Sequence, residues 1–226
     1  MWSNSEFRIV GILYCMKKLI YLFAGIMTVM TVWLFTACSS DSMDRVSERR
    51  SGYYTAQGEG YTVTAVSGVR ESSFKADGKV GGGLKPYTLI TLVPDEFDID
   101  AVITYTAEAD GCMFGGTMTV HPFAASFSAE FEHETKAKEF TVTVRFGGNL
   151  STVQAKSQIT SDMITYDRAI SAAKTALSPR GEYEVRARII KNPFGDGVCW
   201  HISFITADGD TGVLLDPTTA KVLAKK

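Results

Sequence analysis

The sequence predicts a mainly β protein with an α+β end: an antiparallel β-sandwich, then a small domain with one helix packed on an antiparallel sheet. Three observations lead there. Apolar and polar residues alternate from residue 53 to about 150, as in strands with one buried and one wet face. Turn chemistry recurs between those runs, at Asp77-Gly78, Gly81-Gly82-Gly83, Asp110-Gly111 and Gly147-Gly148-Asn149. One stretch after Thr165 changes to the helical period, and only strands follow it.

Composition sets outer limits. The chain has 226 residues, 45% hydrophobic and 21% charged, an ordinary globular balance with room for one large or two small domains. A formal net charge of -2 gives no basic field to neutralise phosphates, so no nucleic-acid partner is expected.

Taken in order, the N-terminus comes first. Residues 19–37 read LIYLFAGIMTVMTVWLFTA, without a charge, directly after Lys17 and Lys18. A positive segment followed by an apolar one is the pattern of a signal peptide, and its length would also suit an uncleaved membrane anchor. Phe35-Thr36-Ala37-Cys38 resembles the lipobox of bacterial lipoproteins, with Phe35 standing where Leu is usual. That resemblance implies cleavage before Cys38 and lipidation of its thiol with a diacylglycerol and a further acyl chain such as palmitate. Two or more chains give stable anchoring. Met16 is then the natural start, 1–15 an upstream extension, 16–37 the signal peptide and 38–52 a flexible polar tether. Ser39 after the cysteine is similar to lipoproteins passed to the outer membrane, where the protein would be periplasmic or surface-exposed. Asp41 and Asp44 resemble acidic surface-export signals, and Asp41-Ser42-Met43 an O-glycosylation triplet.

Residues 53–150 form the expected sandwich. Phe140, Val142, Val144 and Phe146 alternate with Thr141, Thr143 and Arg145, and Phe127, Ala129 and Phe131 alternate with Ser128 and Glu130. Similar runs occupy 60–69, 87–93, 101–107 and 113–120, which together make about seven short strands. His121 precedes a proline, and His133 lies among Glu130, Glu132 and Glu134; neither gathers the three converging ligands a metal needs, so no metal or cofactor is expected. Tyr53, Tyr54, Tyr61, Tyr87, Tyr105 and Phe123 offer aromatic area that could fill the core or stack on a sugar.

A polar linker, 151–162, precedes the last block, 163–226. Thr165 suits a cap and Asp167 a first turn. Ala169, Ile170, Ala173, Ala176 and Leu177 share one helix face, and Ser178-Pro179-Arg180-Gly181 stops the helix. Tyr183, Val185, Ala187 and Ile189 alternate with Glu184, Arg186 and Arg188; Trp200, Ile202 and Phe204 alternate with Cys199, His201 and Ser203. Further strands are expected at 212–216 and 221–224. The helix ITYDRAISAAKTAL, the strand CWHISF and the closing GVLLDPTTAKVL resemble the PepSY domain over residues 164–226. Asp208-Gly209, Asp216, Thr219, Lys221 and Val222 match its closing pattern, and Ala220 replaces the usual turn glycine.

That resemblance implies a role in binding or restraining proteins of the cell envelope. If Trp200, Ile202 and Phe204 pack under the helix, then Glu184, Arg186, Arg188, His201 and Ser203 occupy the opposite face. They are the candidate partner-binding residues, against the alternative of a plain solvated sheet face. A surface glycan-binding lipoprotein using the sandwich aromatics is the second reading. A cysteine-dependent hydrolase built on Cys199 and His201 is a third, and no enzyme is expected, because no oxyanion site or glycine-rich phosphate loop accompanies the pair. Cys112 and Cys199 either form a disulfide or remain two separate thiols.

Overall fold

Strand β1 (Val46–Gly58) organises the fold, because it belongs to two parts of one sheet. The protein is seen in a computed structural model that describes residues 45–72, 75–146 and 148–226. The cleavage motif and Cys38 lie outside the described residues. Strands β2 (Tyr61–Glu71), β3 (Leu84–Pro94), β4 (Thr104–Ala109), β5 (Cys112–Thr117), β6 (Thr119–Val120), β7 (Phe127–Phe131), β8 (Glu139–Phe146) and β9 (Asn149–Ser157) follow. Helix α1 (Tyr166–Leu177) then precedes β10 (Glu184–Lys191), β11 (Val198–Thr206), β12 (Gly209–Leu215) and β13 (Val222–Lys225).

The expected two-layer sandwich is replaced by a single sheet that curls until it nearly closes. Antiparallel pairing runs β6-β7-β3-β2-β1-β9-β8-β4-β5. β5 and β6 are almost one strand: β5 pairs with β4 and β6 with β7, with Met118 at the corner donating its amide to the Ile103 carbonyl (2.9 Å). Across the remaining gap Phe114 stacks on Phe131 at 4.2 Å. Alternation in sequence decides which side chains point inward, and Val63, Ala65, Ile90, Leu92, Ala107, Phe127 and Val142 fill the interior. One end is plugged by polar groups that satisfy one another. Thr88 Oγ1 donates to the His133 carbonyl (2.7 Å), the Thr135 amide to Ser67 Oγ (2.8 Å) and the Tyr54 hydroxyl to the Thr135 carbonyl (2.9 Å).

The second core lies between α1 and strands β10–β13. Thr165 caps the helix, accepting from the Arg168 amide, and Ala169, Ile170 and Ala173 are buried against Val185, Ala187, Trp200, Ile202 and Phe204. Helix and strands therefore form where the periodicities place them, and Trp200, Ile202 and Phe204 do pack under the helix.

The separate helix-on-sheet domain is corrected. β10 pairs in parallel with the first part of β1, so one sheet runs through both regions, and Arg45–Lys226 forms one compact unit. Two segments read as irregular are strand instead. The tether read over 38–52 is β1 from Val46 onward, and the linker read over 151–162 is β9 as far as Ser157. In both, short polar runs hide the alternation: β9 buries only Val153 and Ala155 between Thr152, Gln154 and Lys156. No helix among the described residues is long and apolar enough to cross a membrane.

Candidate functional site

Two irregularities in β1 create the site. Val46 sits opposite Val185 in the second core, but a register shift at Ser47 puts Glu48 opposite Arg186 and Arg50 opposite Arg188. A second shift at Ser51 resets the register of the strand against β2, with which it is paired on both sides of the irregularity. Gly68 lies beside it because a Cβ there would stand 2.0 Å from the Arg49 carbonyl oxygen. The register continues across neighbouring strands: Arg188 faces His201, Arg186 faces Ser203, His201 faces Leu214 and Ser203 faces Gly212. On the other side of Arg50 come Gly68 and Tyr87. The candidate residues Arg186, Arg188, His201 and Ser203 thus share one face, opposite the helix, and Glu48, Arg50 and Tyr87 join them.

Glu48 is the hub. One carboxylate oxygen accepts Arg188 Nε (2.7 Å) and Nη2, and the other accepts the Tyr87 hydroxyl (2.7 Å) and Arg50 Nη2 (3.2 Å). Arg50 Nε also donates to the Tyr87 oxygen (3.1 Å). Burial by itself would raise the Glu48 carboxyl, but the Arg188 fork, the Tyr87 hydroxyl and Arg50 outweigh it and hold the group below its ordinary 4.5. Burial, reinforced by the Glu48 charge, pushes the Tyr87 phenol up to about 12. The arginines are therefore held in fixed orientations, with the entropy of ordering them already spent in folding.

Glu184 behaves oppositely. It is fully buried, and neither carboxylate oxygen accepts a hydrogen bond. Ser47 lies close enough to oppose the shift, but its hydroxyl is turned to the Val185 carbonyl (3.4 Å). Desolvation raises the Glu184 carboxyl against the attraction of Arg186, while Glu71 and Asp77 push it further up. Among the expected partner-binding residues, Glu184 is thus not exposed to a partner. Glu71 is also buried, and its Oε1 accepts the amides of Gly81 (2.6 Å) and Gly82 (2.9 Å). The triple glycine cradles a carboxylate of its own chain, which explains a motif that carried no phosphate-binding partner residues.

An open groove of about 470 Å³ runs over this face, lined by Arg186, Arg188, His201, Ser203 and the β11–β12 turn from Thr206 to Asp210. His201 Nε2 and Ser203 Oγ lie 3.2 Å apart at its floor. A Cβ on Gly212 would stand 3.1 Å from that nitrogen, so the missing side chain keeps the floor open. Beyond Gly212 an apolar depression of about 220 Å³ continues between Ile190, Leu214 and Ala224, again bordered by His201. Burial lowers the imidazole's proton affinity, and Arg188, Lys226 and Arg50 lower it further, with Asp210 in opposition. His201 is thus an imidazole whose neutral form is favoured by its surroundings.

Other expected residues lie apart from this groove. Cys112 is exposed at the start of β5 and Cys199 is buried in β11; both thiols are free, so the disulfide alternative gives way to two separate thiols. Burial raises the Cys199 thiol, and the hydrogen bond of His201 goes to Ser203, an arrangement that does not ready the sulfur for attack. Tyr54, Tyr61, Tyr87 and Tyr105 are buried, Tyr53 packs partly against the second core, and only Phe123 of the six aromatics stands well exposed. His133 pairs with Asp110 (2.9 Å), and no group of three metal-ligating side chains occurs among the described residues.

Glu48, Arg50 and Tyr87 escape sequence reasoning because their strands lie far from β10 in the chain. No local alternation marks them, because the register shift at Ser47 breaks the period between Val46 and Glu48. No family model matches the chain, and neither the curated proteins nor the solved structures provide a match.

Proposed function

We propose that the chain is a lipid-anchored binding module of the cell envelope, tethered to the outer membrane through Cys38, that grips another protein with the face around Glu48. It holds or restrains that protein and carries out no reaction of its own. Three lines support the reading: the lipobox-like Phe35-Thr36-Ala37-Cys38, the PepSY-like pattern of residues 164–226, and the groove itself. The observation that carries it is the pre-ordering of Arg188 and Arg50 by a carboxylate that sequence places more than a hundred residues from β10. A plain solvated face has no need to order long cationic side chains, whereas a docking face gains affinity by doing so.

Site-specific photo-crosslinking in intact cells tests the reading. A crosslinker at position 201 should give one discrete adduct, the same reagent at Thr141 on the remote part of the sheet should give none, and Arg188→Glu should remove the position-201 adduct. Equal labelling at 201 and 141, or an adduct indifferent to Arg188→Glu, would defeat it. Mass spectrometry of the protein from its native membrane should find a chain beginning at acylated Cys38.

A further inference from the structure

We propose that the groove receives the carboxylate of an acidic side chain in an extended peptide segment, and that the depression beyond Gly212 seats an aliphatic side chain two residues along. This deepens the binding role proposed above and rests on it. Five features of the groove carry the inference.

The first is unused donor capacity on ordered groups. Arg188 spends Nε and Nη2 on Glu48 and keeps Nη1, while the Ser203 hydroxyl and His201 Nε2 on the next strand are bonded to each other and offer one further donor between them. A guanidinium nitrogen and one donor from the Ser203–His201 pair suit a planar, two-oxygen acceptor. The second is charge. The groups facing His201 are Arg188 from β10, Arg50 from β1, and Asp210 with Lys226 at the far rim; Asp210 is already engaged by Lys226 at 2.9 Å. Arg188 and Arg50 share the single carboxylate of Glu48, so the floor keeps a net positive charge that attracts one negative charge.

The third feature restricts how much negative charge. Asp208 lines one wall, and a polyphosphate or other dense anion would be repelled by it more strongly than one carboxylate would be. The fourth is size. The apolar depression holds about 220 Å³ between Ile190, Leu214 and Ala224, room for one large aliphatic side chain and too little for a long acyl chain. The fifth is spacing. Both recesses border His201 on one sheet face, and in an extended segment side chains two apart point the same way. The absent side chain at Gly212 leaves the passage between the recesses unobstructed.

The probe is a capped peptide, acetyl-Thr-Glu-Thr-Leu-Thr-amide, titrated into the chain from Cys38 onward with Cys38→Ser, while the imidazole signals of its three histidines are followed by NMR. The expected result is saturable movement of His201 alone, with an upward shift of its pKa, because a bound carboxylate favours the imidazolium. Affinity should therefore rise from pH 8 to pH 6, with His121 and His133 as internal references. The Gln analogue of the peptide and the Ser-for-Leu analogue should each bind about tenfold more weakly or worse, about 1.4 kcal/mol. Gly212→Ala should weaken the Glu peptide similarly without changing the far-ultraviolet spectrum, and Ser203→Ala should do so by a severalfold factor. Equal binding of the Gln peptide, acetate binding as tightly as the peptide, or an unmoved His201 would each overturn the proposal. If position-201 crosslinking succeeds while the peptide fails, the docking role stands and this assignment of its ligand falls; if crosslinking fails while the peptide binds, the reverse holds.

Discussion

At the scale of single residues, two buried glutamates 136 positions apart in sequence show how partners decide the meaning of a buried charge. Glu48 has an arginine fork, a second arginine and a phenol, so its ionised form is favoured. Its contribution to stability is present above the ordinary value of 4.5 and is lost as pH falls through its depressed folded value. Glu184 has no hydrogen-bond partner, so its ionised form is costly; that cost appears as pH rises through its raised folded value and is absent below 4.5. Thermal unfolding should separate the two. At pH 8, Glu48→Gln should lose about 3 kcal/mol by leaving Arg188 and Arg50 without their shared acceptor, and Glu184→Gln should gain about 1 kcal/mol. The Glu184 difference should shrink towards zero below 4.5, and the Glu48 difference only as pH falls through that group's depressed folded value. A Glu184→Gln variant less stable than the parent at pH 8 would mean that the carboxylate has a partner the geometry does not reveal.

Elements end where backbone chemistry allows, and the turn between β12 and β13 carries a visible cost. Ala220 has φ +63°, in the left-handed region where a Cβ is disfavoured, and it occupies the position where the resembled PepSY pattern has glycine. The turn persists because Asp216 over-determines it, accepting from the Thr218 amide (3.1 Å), the Thr219 amide (2.8 Å) and the Thr219 hydroxyl (2.8 Å). Ala220→Gly should therefore stabilise the protein by about 0.5–1 kcal/mol, measured as a rise in urea midpoint with an unchanged slope. No rise, or a fall, would show that Ala220's contact with the second core is worth more than the strain it bears. The helix shows the same economy at its ends: Thr165 supplies the cap, and Ser178, at φ +48°, takes the left-handed position that closes the last turn.

For the whole molecule, the question is whether the two cores unfold together. β1 is common to both: its first residues lie beside β10 and its later ones complete the curled sheet with β2 and β9. A break in either part removes an edge from the other. We expect Arg45–Lys226 to unfold in one calorimetric transition, with Trp200 fluorescence from the second core and loss of amide hydrogen-exchange protection in β2, β3 and β8 of the first changing at the same temperature. Limited proteolysis should leave β9 intact, since its backbone is paired with β8 along its length. Early cleavage within residues 151–157, with two resistant halves, would restore the picture of two domains joined by a linker.

How much of this could be read in advance depended on distance along the chain. Ala169, Ile170 and Ala173 mark the helix within a few residues, and Val185 to Ile189 and Trp200 to Phe204 mark strands whose faces follow from alternation alone. Sequence by itself therefore determined most of the strands, though not the start of β1 or β9, together with the helix with both its ends and the sharing of one face by Arg186, Arg188, His201 and Ser203. Tertiary structure alone decided the rest. Pairing between strands is set by packing and by the hydrogen-bonding needs of edges, neither of which leaves a local trace, so the near-closure of the sheet was hidden. So was the parallel union of β1 with β10. The same reason hid Glu48: only when 46–50 lies beside 185–188 does a charge in an apparently loose segment become the buried anchor of two arginines.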